Sequence, residues 1–176
     1  MLIIFGGLPG TGKTTVSREL ARELRAVYLR IDTIEEALVR SGVLKREELG
    51  PGGYAAAQGV AADNLRLGHI VVADCVNPWR RTRDAWRDVA VTANTACIEV
   101  EIVCSDRDEH KRRVEARRAS IRENGMLADW QSVLNRRYEP WDRQHAVFDT
   151  AACPAEFTVQ SLVAIIAACA GQPQSS

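Results

Sequence analysis

The stretch that decides the fold runs Leu2-Ile-Ile-Phe5-Gly-Gly7-Leu-Pro9-Gly10-Thr11-Gly12-Lys13-Thr14-Thr15. Its first four residues are continuously apolar and end at glycine, the pattern of a buried strand. Val16, Leu20 and Leu24 follow at helical spacing. Between strand and helix, Gly7 to Thr14 fits GxxxxGK[ST] at every fixed position. The glycines let the backbone turn so that successive N–H groups point inward, with no side chain between main chain and anion. A helix starting near Lys13 presents free N–H groups and the positive end of its dipole. Lys13 supplies a point charge for the β- and γ-phosphates, Thr14 a hydroxyl for Mg2+, and Thr15 is placed to reach the α-phosphate. Gly7, Pro9, Gly10, Thr11, Gly12, Lys13, Thr14 and Thr15 are therefore the expected nucleotide-binding set. Lysine is scarce here, three against twenty arginines, yet one of the three stands at this position.

Outward from this motif, strands alternate with helices. Strands are expected at Ala26–Ile31, His69–Asp74, Ala96–Cys104 and Ala146–Phe148. Helices are expected at Thr14–Leu24, Thr33–Arg40, Tyr54–Leu67, Arg81–Val91, Arg107–Arg118, Asp129–Tyr138 and Val159–Ala170. Gly68 suits a helix C-terminus, and Gly50-Pro51-Gly52-Gly53 marks a loop. Several strands are apolar throughout rather than alternating, which implies a parallel sheet covered on both faces. The fold class is α/β, and residues 1–176 are expected to form one domain.

Composition narrows the function. Lys+Arg and Asp+Glu are 23 each, so the net charge is zero, and bulk charge gives no reason to coat nucleic acid or a membrane surface. Five cysteines without a CxxC pair argue against a disulfide framework or a zinc knuckle. His69, His110 and His145 have no ligand spacing. The apolar start is too short for a signal sequence, and the longest apolar run, Leu162–Ala170, is too short to span a bilayer. A cytoplasmic protein with reduced thiols is the expectation. No oligomeric state follows from the sequence.

The motif specifies nucleotide binding rather than an activity. A GTPase would read guanine with NKxD and carry DxxG, and neither is present. The chain is also short for a remodelling ATPase with a helical lid domain. A small phosphotransferase remains. The chain resembles the small P-loop kinases: gluconate kinase, adenylylsulfate kinase, chloramphenicol phosphotransferase and zeta-toxin-like kinases. The segment from the glycine-rich loop to Asp32 carries most of the likeness. Ile31-Asp32-Thr33-Ile34-Glu35-Glu36-Ala37-Leu38 is similar to the end of strand two in chloramphenicol phosphotransferase. Val71-Val-Ala-Asp74-Cys-Val-Asn77 looks like the strand-three DxxN of the wider group. Arg112-Arg113-Val114-Glu115-Ala116-Arg117 resembles the arginine-bearing helix that opens their lids. The resemblance implies a three-layer α/β/α sandwich, a five-stranded parallel sheet of order 2-3-1-4-5, and a helical lid at about residues 106–137. It also implies ATP as the donor, with Mg2+.

Phosphoryl transfer asks for an in-line acceptor, a proton sink and neutralised charge. Asp32 and Asp74 stand at the expected ends of strands two and three, where ligands gather. Asp32 is the candidate base; it also suits a helix N-cap, with Glu35 completing a capping box. Asp74 can order Mg2+ through water or bind substrate, and Asn77 can meet the substrate. Arg113 and Arg117 share a helix face and are candidates for phosphate contact, with Arg136 and Arg137 flanking the lid. Of Arg80, Arg81 and Arg83, all but one are expected in solvent. Asn124-Gly125 marks the lid tip. Tyr138–Trp141 through Asp149–Pro154 resembles the last strand and the loop that backs adenine, with Tyr138 and Trp141 expected to pack. Trp79, Trp86 and Trp130 belong to core or rim.

The sequence therefore favours an ATP- and Mg2+-dependent kinase acting on a hydroxyl of a small molecule. A nucleic-acid 5′-hydroxyl kinase shares the same loop-and-aspartate logic, although the neutral charge weighs against it. A nucleotide-binding regulator or toxin–antitoxin component is the third possibility.

Overall fold

A computed structural model of the chain describes residues 1–120 and 128–170. Five parallel strands form one sheet in the order β2-β3-β1-β4-β5. They are β1 (Leu2–Gly6), β2 (Val27–Arg30), β3 (Val71–Asp74), β4 (Cys97–Val103) and β5 (Ala146–Asp149). The order is the one the resemblance implied. β1 lies at the centre, with Leu2 opposite Val71 on one side and Cys97 on the other.

The continuous apolar strands are explained by two cores. Leu2 and Ile4 point to one face, where Ala57, Ala61, Leu65, Trp86 and Ala90 cover them. Ile3 and Phe5 point to the other, against Val16, Leu20, Leu162 and Ile166. The first group comes from α3 (Gly52–Arg66) and α4 (Arg80–Thr92), the second from α1 (Lys13–Glu23) and α7 (Ala155–Ala170). Every residue of β1 is buried, so no position on it favours a polar side chain. The chain winds to one side of β1 with β2 and β3, then to the other with β4 and β5. That reversal puts a crevice at the carboxyl end of β1.

Three local expectations need correction. Helix α2 (Ile31–Arg40) follows β2 with no intervening loop. Arg30, with extended backbone and no side-chain cap bond, takes the N-cap position. Asp32 therefore lies in the first helical turn instead of closing a strand, and the Asp32–Glu35 capping box does not form. Helix α6 is only Trp130–Leu134. Asp129 caps it by accepting from the Ser132 N–H at 2.7 Å, but Asn135, Arg136 and Arg137 are exposed and give a longer helix nothing to bury. Helix α7 starts at Ala155, directly after Pro154, four residues before the expected start.

Gly68 does end α3. At φ +86° it lets its own N–H reach the Leu65 carbonyl and that of His69 reach Asn64, each at 3.0 Å. Helix α5 (Arg107–Ser120) buries only a narrow stripe, with His110 and Val114 inside. The expected lid tip at Asn124-Gly125 lies outside the described residues. Among the described residues, no helix is long and apolar enough to cross a membrane.

Candidate active site

The loop between β1 and α1 has the geometry its glycines permit. Gly10 (φ +87°) and Gly12 (φ +93°) both occupy the left-handed region. A side chain at Gly10 would also put Cβ 2.5 Å from Val114 Cγ2. Lys13 opens α1 and is 7% exposed. Burial lowers its pKa, while the charges of Asp74 and Asp32 oppose that shift. Its Nζ lies 3.4 Å from the Leu8 carbonyl. Thr14 is half-buried and Thr15 exposed.

The two aspartates meet different surroundings. Asp74 does close β3, and it is 2% exposed. Its Oδ2 accepts a 2.7 Å hydrogen bond from the Tyr28 hydroxyl. Burial, then the Asp74 charge, holds that phenol protonated well above its usual range. Asp32 is half exposed and accepts from Arg30 Nη2 at 2.7 Å. Arg117 Nη2 stands 3.9 Å from the same oxygen, Oδ2. Arg30 links the two acids, since its Nε lies 3.8 Å from Asp74 Oδ2.

A cavity of about 900 Å3 opens beside the loop. Pro9, Lys13, Asp32 and Arg117 line it on the loop side; Glu35, Tyr54, Gln58, Trp79 and Arg81 line the remainder, with Arg46 and Arg136. Burial, and next the Asp32 charge, raises the Glu35 pKa above the usual carboxylate value. The volume falls in the range typical of small-molecule sites, roughly 300–1,000 Å3. Asp74 is not among the lining residues. Its carboxylate is engaged by the Tyr28 hydroxyl instead, so the two candidate carboxylates do not front the cavity equally.

Two expected site residues are placed elsewhere. Asn77 is fully buried at φ +53°, with its N–H donating to the Tyr54 hydroxyl at 3.1 Å. Its side-chain amide has no hydrogen-bond partner among the described residues and does not line the cavity. The Asn-Pro turn directs that side chain inward. Arg113 and Arg117 share a face but diverge. Arg113 donates to Glu109 (2.7 Å), to the Thr150 hydroxyl (2.7 Å) and to the Thr150 carbonyl (3.1 Å). Hydrogen bonds from Arg112 and Arg113 lower the Glu109 pKa to about 2. Arg117 alone of the two lines the cavity.

Arg83 is the one arginine of its trio out of solvent. Fully buried, it donates to the carbonyls of Asn77, Pro78, Glu139 and Pro140. Its guanidinium lies 4.3 Å from the Trp141 ring centroid and 5.2 Å from that of Tyr138. Trp141 in turn packs beneath Gly6, where an added Cβ would meet it at 2.9 Å. Tyr138 and Trp141 thus pack, as expected. Sequence reading missed Tyr28, Arg30, Glu35 as a cavity residue, His110 and Thr150. Tyr28, His110 and Thr150 have partners far along the chain or on the main chain, so local spacing carries no signal for them, whereas Arg30 meets Asp32 two residues on.

No group of three or more His, Cys, Asp or Glu able to hold a metal ion occurs among the described residues. The oxygen donors near the loop, the Thr14 hydroxyl and the Asp74 carboxylate, are of the hard type Mg2+ prefers. They suit an ion that arrives on a triphosphate rather than one caged by the protein.

Comparison with known proteins agrees with this architecture. A family model described as AAA domain (AAA_33) matches residues 2–140. An adenylyl-sulfate kinase from Synechococcus sp. is 31% identical over 157 residues, covering 84% of this chain and 82% of the relative. An uncharacterized protein of Mycobacterium tuberculosis is 30% identical over 170 residues; the match covers 90% of this chain but only 33% of that protein. Among solved structures, a protein from Chloroflexus aurantiacus superposes with TM-score 0.77 at 24% identity, covering 95% of this chain and 96% of that one. The Mycobacterium tuberculosis APS kinase in complex with AMPPNP and APS gives TM-score 0.68 at 19% identity, with 94% and 96% covered. With the loop, the sheet order and the family match in place, the chain belongs to the AAA domain family AAA_33 and has a P-loop kinase-like fold.

Proposed function

We propose that the protein is an ATP- and Mg2+-dependent kinase that transfers the γ-phosphoryl group to a hydroxyl of a small molecule. One observation supports this above the rest. Lys13, Asp32 and Arg117 line the same cavity, so a phosphate on the loop and an acceptor in the cavity would share one wall. The donor's phosphates take the loop N–H groups and Lys13. Mg2+, when bound, neutralises charge on the β- and γ-oxygens, and Thr14 and Asp74 are the residues that would hold it. The acceptor hydroxyl enters opposite the leaving β-phosphate. Its oxygen forms a bond to γ-phosphorus as the bond to the β–γ bridging oxygen breaks, and its proton passes to Asp32. Arg117 offsets charge on the transferring group. Asp32 is preferred to Asp74 as base because it fronts the cavity, whereas Asp74 is buried against Tyr28.

Glu35 and Tyr54 with Arg46, Arg81 and Arg136 suit a polar acceptor with several hydrogen-bonding groups. The test is incubation with ATP, Mg2+ and a metabolite pool, followed by mass spectrometry. A species heavier by one phosphate group is expected with the natural chain, and far more slowly with Asp32→Asn. No such species from the natural chain would overturn the assignment.

A further inference from the structure

A phosphate loop works only if its N–H groups point at the anion, and the structure holds two of its peptides from behind. In a trans peptide the carbonyl and the following N–H point to opposite sides, and no described peptide is cis. The Pro9 carbonyl lies 2.8 Å from His110 Nε2. A carbonyl only accepts, so that ring nitrogen bears the proton. With the Pro9 oxygen drawn toward α5, the Gly10 N–H is turned to the opposite side.

The same device recurs two residues on. The Thr150 hydroxyl lies 2.7 Å from the Thr11 carbonyl and 3.2 Å from that of Val103. Arg113 donates to the same hydroxyl oxygen, which leaves the hydroxyl's one proton for a carbonyl, and Thr11 is the nearer. Holding the Thr11 oxygen turns the Gly12 N–H away from it. Gly10 and Gly12 are the two left-handed glycines between which Thr11 sits. The supports are themselves packed. His110 is 6% exposed, beside Val114, and the Trp130 ring meets its edge at 5.2 Å between centroids.

We propose that His110 and Thr150 are positioning residues that aim the loop's amides, and that His110 ties the loop to α6 through Trp130. The inference rests on the nucleotide-binding part of the function proposed above. It predicts dependence on one hydrogen-bond donor at each position rather than on bulk. The test is calorimetric titration of the whole chain with Mg·ADP and, separately, with inorganic tripolyphosphate. His110→Leu and Thr150→Val should each weaken both titrants about tenfold, the weight of one hydrogen bond. His110→Gln and Thr150→Ser keep a donor and should stay within about threefold of the natural chain. Thr150→Val is nearly isosteric, so it reports even if His110→Leu does not fold. Natural binding of both titrants by the Leu and Val variants would overturn the proposal alone. So would equal losses in the donor-keeping and donor-lacking variants. If the natural chain binds neither titrant, the nucleotide-binding reading falls first, and the proposal with it.

Discussion

Arg30 donates from Nη2 to Asp32 Oδ2 at 2.7 Å, across two residues of chain. Because Arg30 ends β2 and Asp32 lies in the first turn of α2, the bond ties the sheet edge to the helix that borders the cavity. It fixes the orientation of the carboxylate proposed above as the base. Replacing Asp32 by Asn keeps an acceptor oxygen for Arg30 and removes the basic site. Transfer should fall about 10²–10⁴-fold, the usual worth of a general base, while Mg·ATP affinity stays within about twofold. Initial rates of ADP release beside calorimetry would check this. Unchanged turnover would remove Asp32 from the chemistry.

Glu35 should show the opposite of an ordinary surface acid. Burial, then the Asp32 charge, raises its folded pKa above the ordinary value of 4.5. Folding therefore disfavours its ionised form. Its contribution to stability is fully present below the unfolded pKa and is lost as pH rises through the folded one. Glu35→Gln cannot ionise. Its melting temperature should exceed that of the natural chain at about pH 8, with the gap closing below 4.5. A pH-independent gap would contradict this.

Gly10→Ala should be costly. It forces a side chain into the left-handed region and against Val114. A loss of about 1–3 kcal/mol in urea unfolding is expected. Pairing it with Val114→Ala should restore only the steric part, because the backbone strain remains.

Arg83→Met tests the buried arginine. It would leave the carbonyls of Asn77, Pro78, Glu139 and Pro140 without that donor. A loss of about 3 kcal/mol or more is expected from chemical denaturation. A change under about 1 kcal/mol would show that water replaces the guanidinium there.

The layers of the fold were legible because burial on both faces writes itself as unbroken apolar strands, as in Leu2–Phe5. The phosphate loop was legible because its constraints are local: glycine where φ is positive, a lysine, then a hydroxyl. The sheet order came from family resemblance, not from spacing. The wall behind the loop was not legible. His110 bonds a carbonyl 101 positions away, and Thr150 one 139 away. Main-chain partners leave no trace in side-chain spacing. Asp32 shows the same limit on a small scale: a favoured N-cap residue, it sits two places inside the helix because β2 runs into α2 without a loop.

Triphosphate capture by the loop is tested most directly by titrating Mg·ATP into the natural chain and into Lys13→Ala in a calorimeter. Saturable heat with one site is expected from the natural chain, and at least about tenfold weaker binding from the variant, since Lys13 supplies a buried cation at the loop. Equal heats from both proteins, or none from the natural chain with any nucleoside triphosphate, would contradict it.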